Sequence, residues 1–179
     1  MVGIEVDHDA HINIELLREK LQECVDSKTA VYAVVAIIGS TEEGAVDNLT
    51  EILALRQEFQ DKYGLSFLVH ADAAWGGYFA TMLHRGADGA PVSLEPALPN
   101  PSKRLIPALT LRQKTEEDLL ALRHADSITV DPHKAGYIPY PAGSLVYKDG
   151  RMRHLVTWSG PYLSQGSAEN IGVYGVEGR

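Results

Sequence analysis

Apolar and polar positions alternate or recur along this chain in a way that divides it into strands and helices. Ile4 and Val6 alternate with polar residues, a turn follows at His8-Asp9-Ala10, and Ile14, Leu17, Leu21 and Cys24 then recur at helical spacing over residues 13–25. Strand, turn, helix is the expected order. The run Val31-Tyr32-Ala33-Val34-Val35-Ala36-Ile37-Ile38 lacks alternation, is rich in β-branched residues and stops at Gly39, the pattern of a strand covered on both faces. After a polar loop at residues 39–44, Asp47 is placed to cap a helix carrying Leu49, Ile52, Leu53, Leu55 and Phe59, which Lys62-Tyr63-Gly64 ends. Ser66-Phe67-Leu68-Val69-His70 reads as the next strand, Ser127-Ile128-Thr129-Val130 as another, and residues 143–148 as a last short one.

Connections this long between strands predict an α/β fold with a mostly parallel sheet flanked by helices and right-handed crossovers. Residues 86–107, with prolines at 91, 96, 99, 101 and 107, read as an extended surface excursion, and a helix resumes at Thr115-Glu116-Glu117-Asp118, which resembles a capping box. Ligands of parallel sheets bind at the C-terminal ends of strands. The unusual residues fall there: Gly39-Ser40-Thr41, His70-Ala71-Asp72-Ala73-Ala74 and Asp131-Pro132-His133-Lys134.

Composition narrows the partners. The 179 residues carry 16 Lys plus Arg against 24 Asp plus Glu, a formal charge of −8, so the chain lacks the basic footprint that nucleic acid requires. A hydrophobic share of 45% suits a globular core and excludes intrinsic disorder. The longest apolar run falls far short of the ~20 residues that span a bilayer. The N-terminus shows neither the basic leader nor the apolar core of a signal peptide, so the chain is expected to start inside structure. A single cysteine, Cys24, makes no intramolecular disulfide, reads as filler on a helix face and favours a reducing compartment, with cytoplasmic as the default.

Lys134 stands beside the small and apolar Ala135-Gly136-Tyr137-Ile138, where desolvation favours the neutral, nucleophilic amine. Asp72 lies among small residues that let a flat ring approach the backbone, and Ser40 and Thr41 offer hydroxyls in a glycine-bounded loop. Taken singly, each has an ordinary alternative: a surface cation, a turn or cap residue, a Ser/Thr turn. His70, Asp72 and His133 together also admit a metal site and a metal-dependent hydrolase, although Ala, Gly and Lys are better company for a phosphate or flat cofactor.

The runs His70-Ala71-Asp72-Ala73-Ala74-Trp75-Gly76-Gly77 and Asp126-Ser127-Ile128-Thr129-Val130-Asp131-Pro132-His133-Lys134 resemble the group II amino-acid decarboxylases that use pyridoxal 5'-phosphate. The stretch Asp131-Pro132-His133-Lys134-Ala135-Gly136-Tyr137-Ile138-Pro139-Tyr140 is most similar to the tyrosine decarboxylases among them, and residues 39–47 are similar to the family's Gly-Thr-Thr loop with Ser40 for one threonine. The resemblance implies part of a fold-type-I, aspartate aminotransferase-like large domain and decarboxylation of L-tyrosine or another aromatic L-amino acid. It also implies a Lys134 Schiff base that the substrate amine displaces, and a quinonoid formed when the Cα–carboxylate bond breaks and its electrons pass into the ring. By the same resemblance Asp72 pairs with the pyridine nitrogen, Ala74 lies against the ring, Thr41 is near the cofactor or the substrate carboxylate, and His133 serves the phosphate end or substrate positioning. Tyr162 is the nominated proton donor and Tyr140 a second candidate, for substrate positioning.

Members of that family are longer, with an upstream phosphate-binding turn, an upstream ring that stacks on the cofactor, and a C-terminal small domain. Residues 1–179 are therefore expected to be a partial cofactor-binding large domain, weakly active or inactive alone, and a homodimer in the full-length protein. A noncatalytic remnant that assembles with a longer relative is the alternative of a different class.

Overall fold

A computed structural model describes residues 1–83, 111–140 and 142–152. The excursion expected at residues 86–107, and Tyr162, lie outside the described residues.

The first helix, α1 (Ile14–Asp26), begins where the Asn13 side chain accepts a hydrogen bond from the Leu16 amide at 3.1 Å, and it buries Leu17 and Leu21. Cys24 on this helix is only half-buried. The expected N-terminal strand does not form. Instead Asp7 accepts from the amides of Asp9 and His11, Ala10 takes a φ of 62°, and the chain doubles back so that Val6 meets Ile12 in an isolated antiparallel bridge.

Strands β1 (Ala33–Ile37), β2 (Leu68–Asp72), β3 (Ser127–Val130) and β4 (Ser144–Tyr147) form one sheet in that order. β1 and β2 are parallel with Ile37 opposite Asp72, β2 and β3 are parallel with Asp72 opposite Thr129, and β4 returns antiparallel with Ser144 opposite Val130. The mostly parallel sheet flanked by helices is the expected fold class. β2 runs two residues further along the chain than expected, which makes Ala71 and Asp72 strand residues rather than loop residues.

One face of the sheet carries Val34, Ala36, Val69 and Ala71, which join Ile52, Leu55 and Phe59 of α2 (Leu49–Tyr63) and Leu119 of α3 (Gln113–Ala121) in the core. Each of the Val, Ile, Leu and Phe side chains among them contributes about 1.5–3 kcal/mol when fully buried. The opposite face does not meet the expectation of a strand covered on both sides. Val35 is 50% exposed, Ile37 39% and Leu145, which shares that face through its pairing with Thr129, 49%.

Helix α2 ends as its sequence predicts, with Gly64 at φ 68° donating to the carbonyls of Gln60 and Phe59. Its start differs. Asn48 is the cap residue and makes no side-chain cap hydrogen bond, whereas Asp47 is 4% exposed and accepts from the amides of Ile12 and Ile37, each at 2.6 Å. The carboxylate thus clasps the N-terminal segment to the end of β1. Helix α3 begins at Gln113, so Thr115 sits inside it and the expected capping box is absent. Asp118 of α3, 1% exposed, accepts from the Thr50 amide, the Thr50 hydroxyl and Lys114 Nζ at 2.8, 2.7 and 2.7 Å. Among the described residues no helix is long and apolar enough to cross a membrane.

Candidate active site

The site is built where strands β2 and β3 end side by side. Asp72 is the last residue of β2, and its Oδ1 accepts from the Ala74 amide at 3.3 Å while its other oxygen has no hydrogen-bond partner among the described residues. Ala74 in turn receives the Asp131 amide on its carbonyl, at 3.3 Å, which holds the turn after β2 against the turn after β3. Gly77 completes that contact, since a Cβ there would lie 2.9 Å from a methyl of Val130.

The turn after β3 gathers charge. Lys134 Nζ lies 2.8 Å from Asp131 Oδ2 and 5.9 Å from the centre of the Trp75 ring, with its side chain 25% exposed and so open to a ligand. His133 Nε2 is 3.7 Å from the same Asp131 oxygen, and its Nδ1 donates to the Ala142 carbonyl. The imidazole is 5% exposed and stacks with Tyr140, ring centres 3.7 Å apart and planes 35° from parallel. Gly136 is required in this turn because a Cβ would meet the Pro132 carbonyl at 2.5 Å and the Tyr78 ring at 2.8 Å. Tyr137 beside it has a φ of 56° and is almost wholly exposed.

Lys134, His133, Tyr140, Asp72 and Ala74 therefore fall in one region, at the ends of adjacent strands. Thr41 is exposed and lines a cavity of about 460 Å³ with Trp75, Gly76, Phe79, Leu111 and Leu119. Lys134, Asp72 and His133 do not line that cavity, and Trp75 is the residue that borders it while lying near Lys134. The loop carrying Thr41 is fixed to the Trp75 turn by two glycines in backbone contact. Gly76 donates to the Ile38 carbonyl at 2.9 Å, and a Cβ on Gly39, at φ 90°, would lie 2.8 Å from the Gly76 nitrogen.

Among the described residues no cluster of three His, Cys, Asp or Glu is arranged to hold a metal ion, and both His70 ring nitrogens are engaged by the hydroxyls of Ser127 and Thr129. Two residues went unnoticed in the sequence, Asp131 as the partner of Lys134 and Thr129 as the neighbour of Asp72. Asp131 had a signal, its place three residues before the lysine in a turn; Thr129 had none until the strand register was known.

Residues 1–106 match the family model described as the pyridoxal-dependent decarboxylase conserved domain, more than half of the chain. The chain belongs to this decarboxylase family. It is 35% identical over 182 residues to an L-tyrosine decarboxylase of Enterococcus faecium, covering 99% of this chain and 30% of that protein. An L-tyrosine decarboxylase of Levilactobacillus brevis is 36% identical over 188 residues, with 99% and 29% covered. Among solved structures, mouse CSAD superposes with a TM-score of 0.54 at 24% identity, covering 82% of this chain and 24% of that one, which bears on the fold alone. The chain thus spans about 30% of the length of the curated relatives it matches. Pyridoxal phosphate is the family's cofactor, and the donor set suits it: an accessible amine, a strand-end carboxylate with an oxygen unengaged among the described residues, and the small side chain of Ala74 between their turns.

Proposed function

We propose that these residues are part of the cofactor-binding large domain of a pyridoxal-phosphate-dependent decarboxylase acting on L-tyrosine or another aromatic L-amino acid. The observation that carries this reading is the placement of Lys134 and Asp72 at the ends of neighbouring parallel strands. When bound, the cofactor supplies a protonated ring that accepts the electrons released on loss of carbon dioxide. The chain's residues bind and orient it. Lys134, whose Nζ lies 2.8 Å from Asp131, would hold it through its amine. Asp72 offers its carboxylate to the ring nitrogen and keeps the proton there. Ala74 leaves room for the ring face, and His133, fixed by the Ala142 carbonyl and Tyr140, serves the phosphate end. Tyr140, 65% exposed, is suited to position substrate, Thr41 to meet the cofactor or the substrate carboxylate, and Tyr162 to protonate Cα.

The L-tyrosine decarboxylases to which the chain is similar support the substrate class. A homodimer and a cytoplasmic setting belong to the same reading, the first to be checked by sedimentation. The deciding experiment adds pyridoxal phosphate to the full chain, reduces it with borohydride and maps the adduct. A visible absorption band and a reduced adduct on the Lys134 peptide, both lost in Lys134→Ala, are expected, followed by carbon dioxide release from L-tyrosine by the intact parent protein. A folded chain that forms no adduct on Lys134 would point to the noncatalytic remnant, and an intact parent that releases no carbon dioxide from any aromatic amino acid would overturn the reading.

A further inference from the structure

The turn that carries Lys134 is closed by its main chain. Asp131-Pro132-His133-Lys134 has proline at its second position, and the Lys134 amide donates to the Asp131 carbonyl at 3.0 Å. The Asp131 amide is held in turn by the Ala74 carbonyl. An aspartate at the first position of such a turn ordinarily turns its carboxylate to the amides that follow it. Asp131 does not. Among the described residues its carboxylate accepts from no backbone amide, and Oδ2 lies 2.8 Å from Lys134 Nζ, with both side chains largely enclosed. His133 Nε2, 3.7 Å from the same oxygen, is beyond hydrogen-bond distance of it. The main chain holds the turn without help from this carboxylate, which leaves the carboxylate to act on the amine.

We propose that Asp131 is the catalytic base and proton carrier through which Lys134 joins an aldehyde. The inference rests on the pyridoxal-phosphate reading above. A lysine side chain at neutral pH is an ammonium with three hydrogens, and its nitrogen has no lone pair to attack with until one of them leaves. Asp131 Oδ2, 2.8 Å away and so inside the reach of about 2.6–3.2 Å that proton transfer needs, takes that first proton. The freed lone pair forms the C–N bond, and the electron pair of the C=O bond moves to oxygen. A second proton passes from nitrogen to that oxygen through solvent. Asp131 then returns its own proton to the same oxygen, which departs as water while nitrogen closes the C=N bond. The imine keeps one hydrogen and the positive charge, and Asp131 ends as the carboxylate it began, beside a cation once more.

The test uses the full chain with pyridoxal phosphate itself as the probe, and compares Asp131→Asn and Asp131→Ala with wild type. The rate is read from the growth of the visible band after mixing, the attachment point from the borohydride-reduced Lys134 peptide, and folding from thermal denaturation. Asp131→Asn has nearly the same shape and cannot carry a proton, and it is expected to slow attachment at least about tenfold. Formate added to Asp131→Ala should restore part of the rate in proportion to its concentration, which a loss of packing would not allow. An ion pair that merely parks the amine has the opposite signature. An unchanged or faster rate in folded Asp131→Asn, or no rescue by formate, would overturn the proposal. Where neither variant folds, wild type decides: attachment is expected to be slower in heavy water, and an equal rate there would overturn the proposal as well. A folded wild-type chain that forms no Lys134 adduct would point to the noncatalytic remnant and overturn this inference with it, whereas a fast Asp131→Asn overturns this inference alone.

Discussion

Asp118 and Asp47 are hidden from water by the same fold for different ends. Asp118 carries its charge inward because Lys114 and both donors of Thr50 meet it there. Asp118→Ala would strand the Thr50 amide and remove the partner of Lys114, and a loss of about 3 kcal/mol is expected in urea denaturation, with Asp118→Asn recovering part of it. Asp47 is pushed up by burial against the pull of two backbone amides, whereas Glu58, clamped by Arg18 and Lys62 at 2.8 Å each, is held down at about 2. The signs oppose. Glu58 favours the folded state fully above the ordinary glutamate range and loses that contribution as pH falls from about 4.5 toward 2. Asp47 takes its proton earlier in the folded state than in the unfolded one, so its contribution grows as pH falls toward its ordinary value of 3.8. Denaturation midpoints measured from pH 6 to 3 should therefore fall less steeply in Glu58→Gln than in wild type. Lys134, His133 and Asp72, the residues proposed to hold the cofactor, stand in contiguous motifs and are legible in the sequence alone. Asp131 and Thr129 are not, because a turn and a strand register bring them into play.

Helices and strands lie where the sequence places them when local signals agree, and shift where a distant contact intervenes. α1 has its capping asparagine and α2 its left-handed glycine, and β3 coincides with its β-branched run. Asp47 has the composition of a helix cap, yet two unpaired amides, one of them 35 positions away in sequence at Ile12, claim its side chain. Ile4 and Val6 alternate as a strand does but find no strand to pair with among the described residues. The contact between Gly39 and Gly76 is the joint on which the loop after β1 depends. A Cβ on Gly76 would lie 2.2 Å from the Ile38 carbonyl oxygen, so backbone must move. Gly76→Ala is expected to cost about 1–3 kcal/mol in thermal or chemical denaturation and to displace the loop that carries Thr41. Weaker incorporation of pyridoxal phosphate should accompany it.

At the scale of the molecule, a single core lies between one sheet face and its helices, while the other face leaves Val35, Ile37 and Leu145 half open around a polar centre. The sequence of β1, apolar on both sides, reads as a strand covered twice, and periodicity alone does not say what supplies the cover. An exposed apolar surface of this kind binds hydrophobic dyes. Val35→Thr together with Ile37→Thr should lower anilinonaphthalene sulfonate fluorescence at least twofold while shifting stability by less than about 1 kcal/mol, since both side chains are already substantially hydrated. The antiparallel return of β4 has a different consequence. Val130 and Ser144 face each other across the sheet, and the Ser144 hydroxyl donates to the Val130 carbonyl, so the residues between them form a loop closed at its base. Lys134 is carried on this closed loop, beside Asp131. Under the reading proposed above, a soluble primary amine would compete with Lys134 for the cofactor's aldehyde, and common amine buffers set the practical ceiling on how cleanly a Lys134 adduct can be observed.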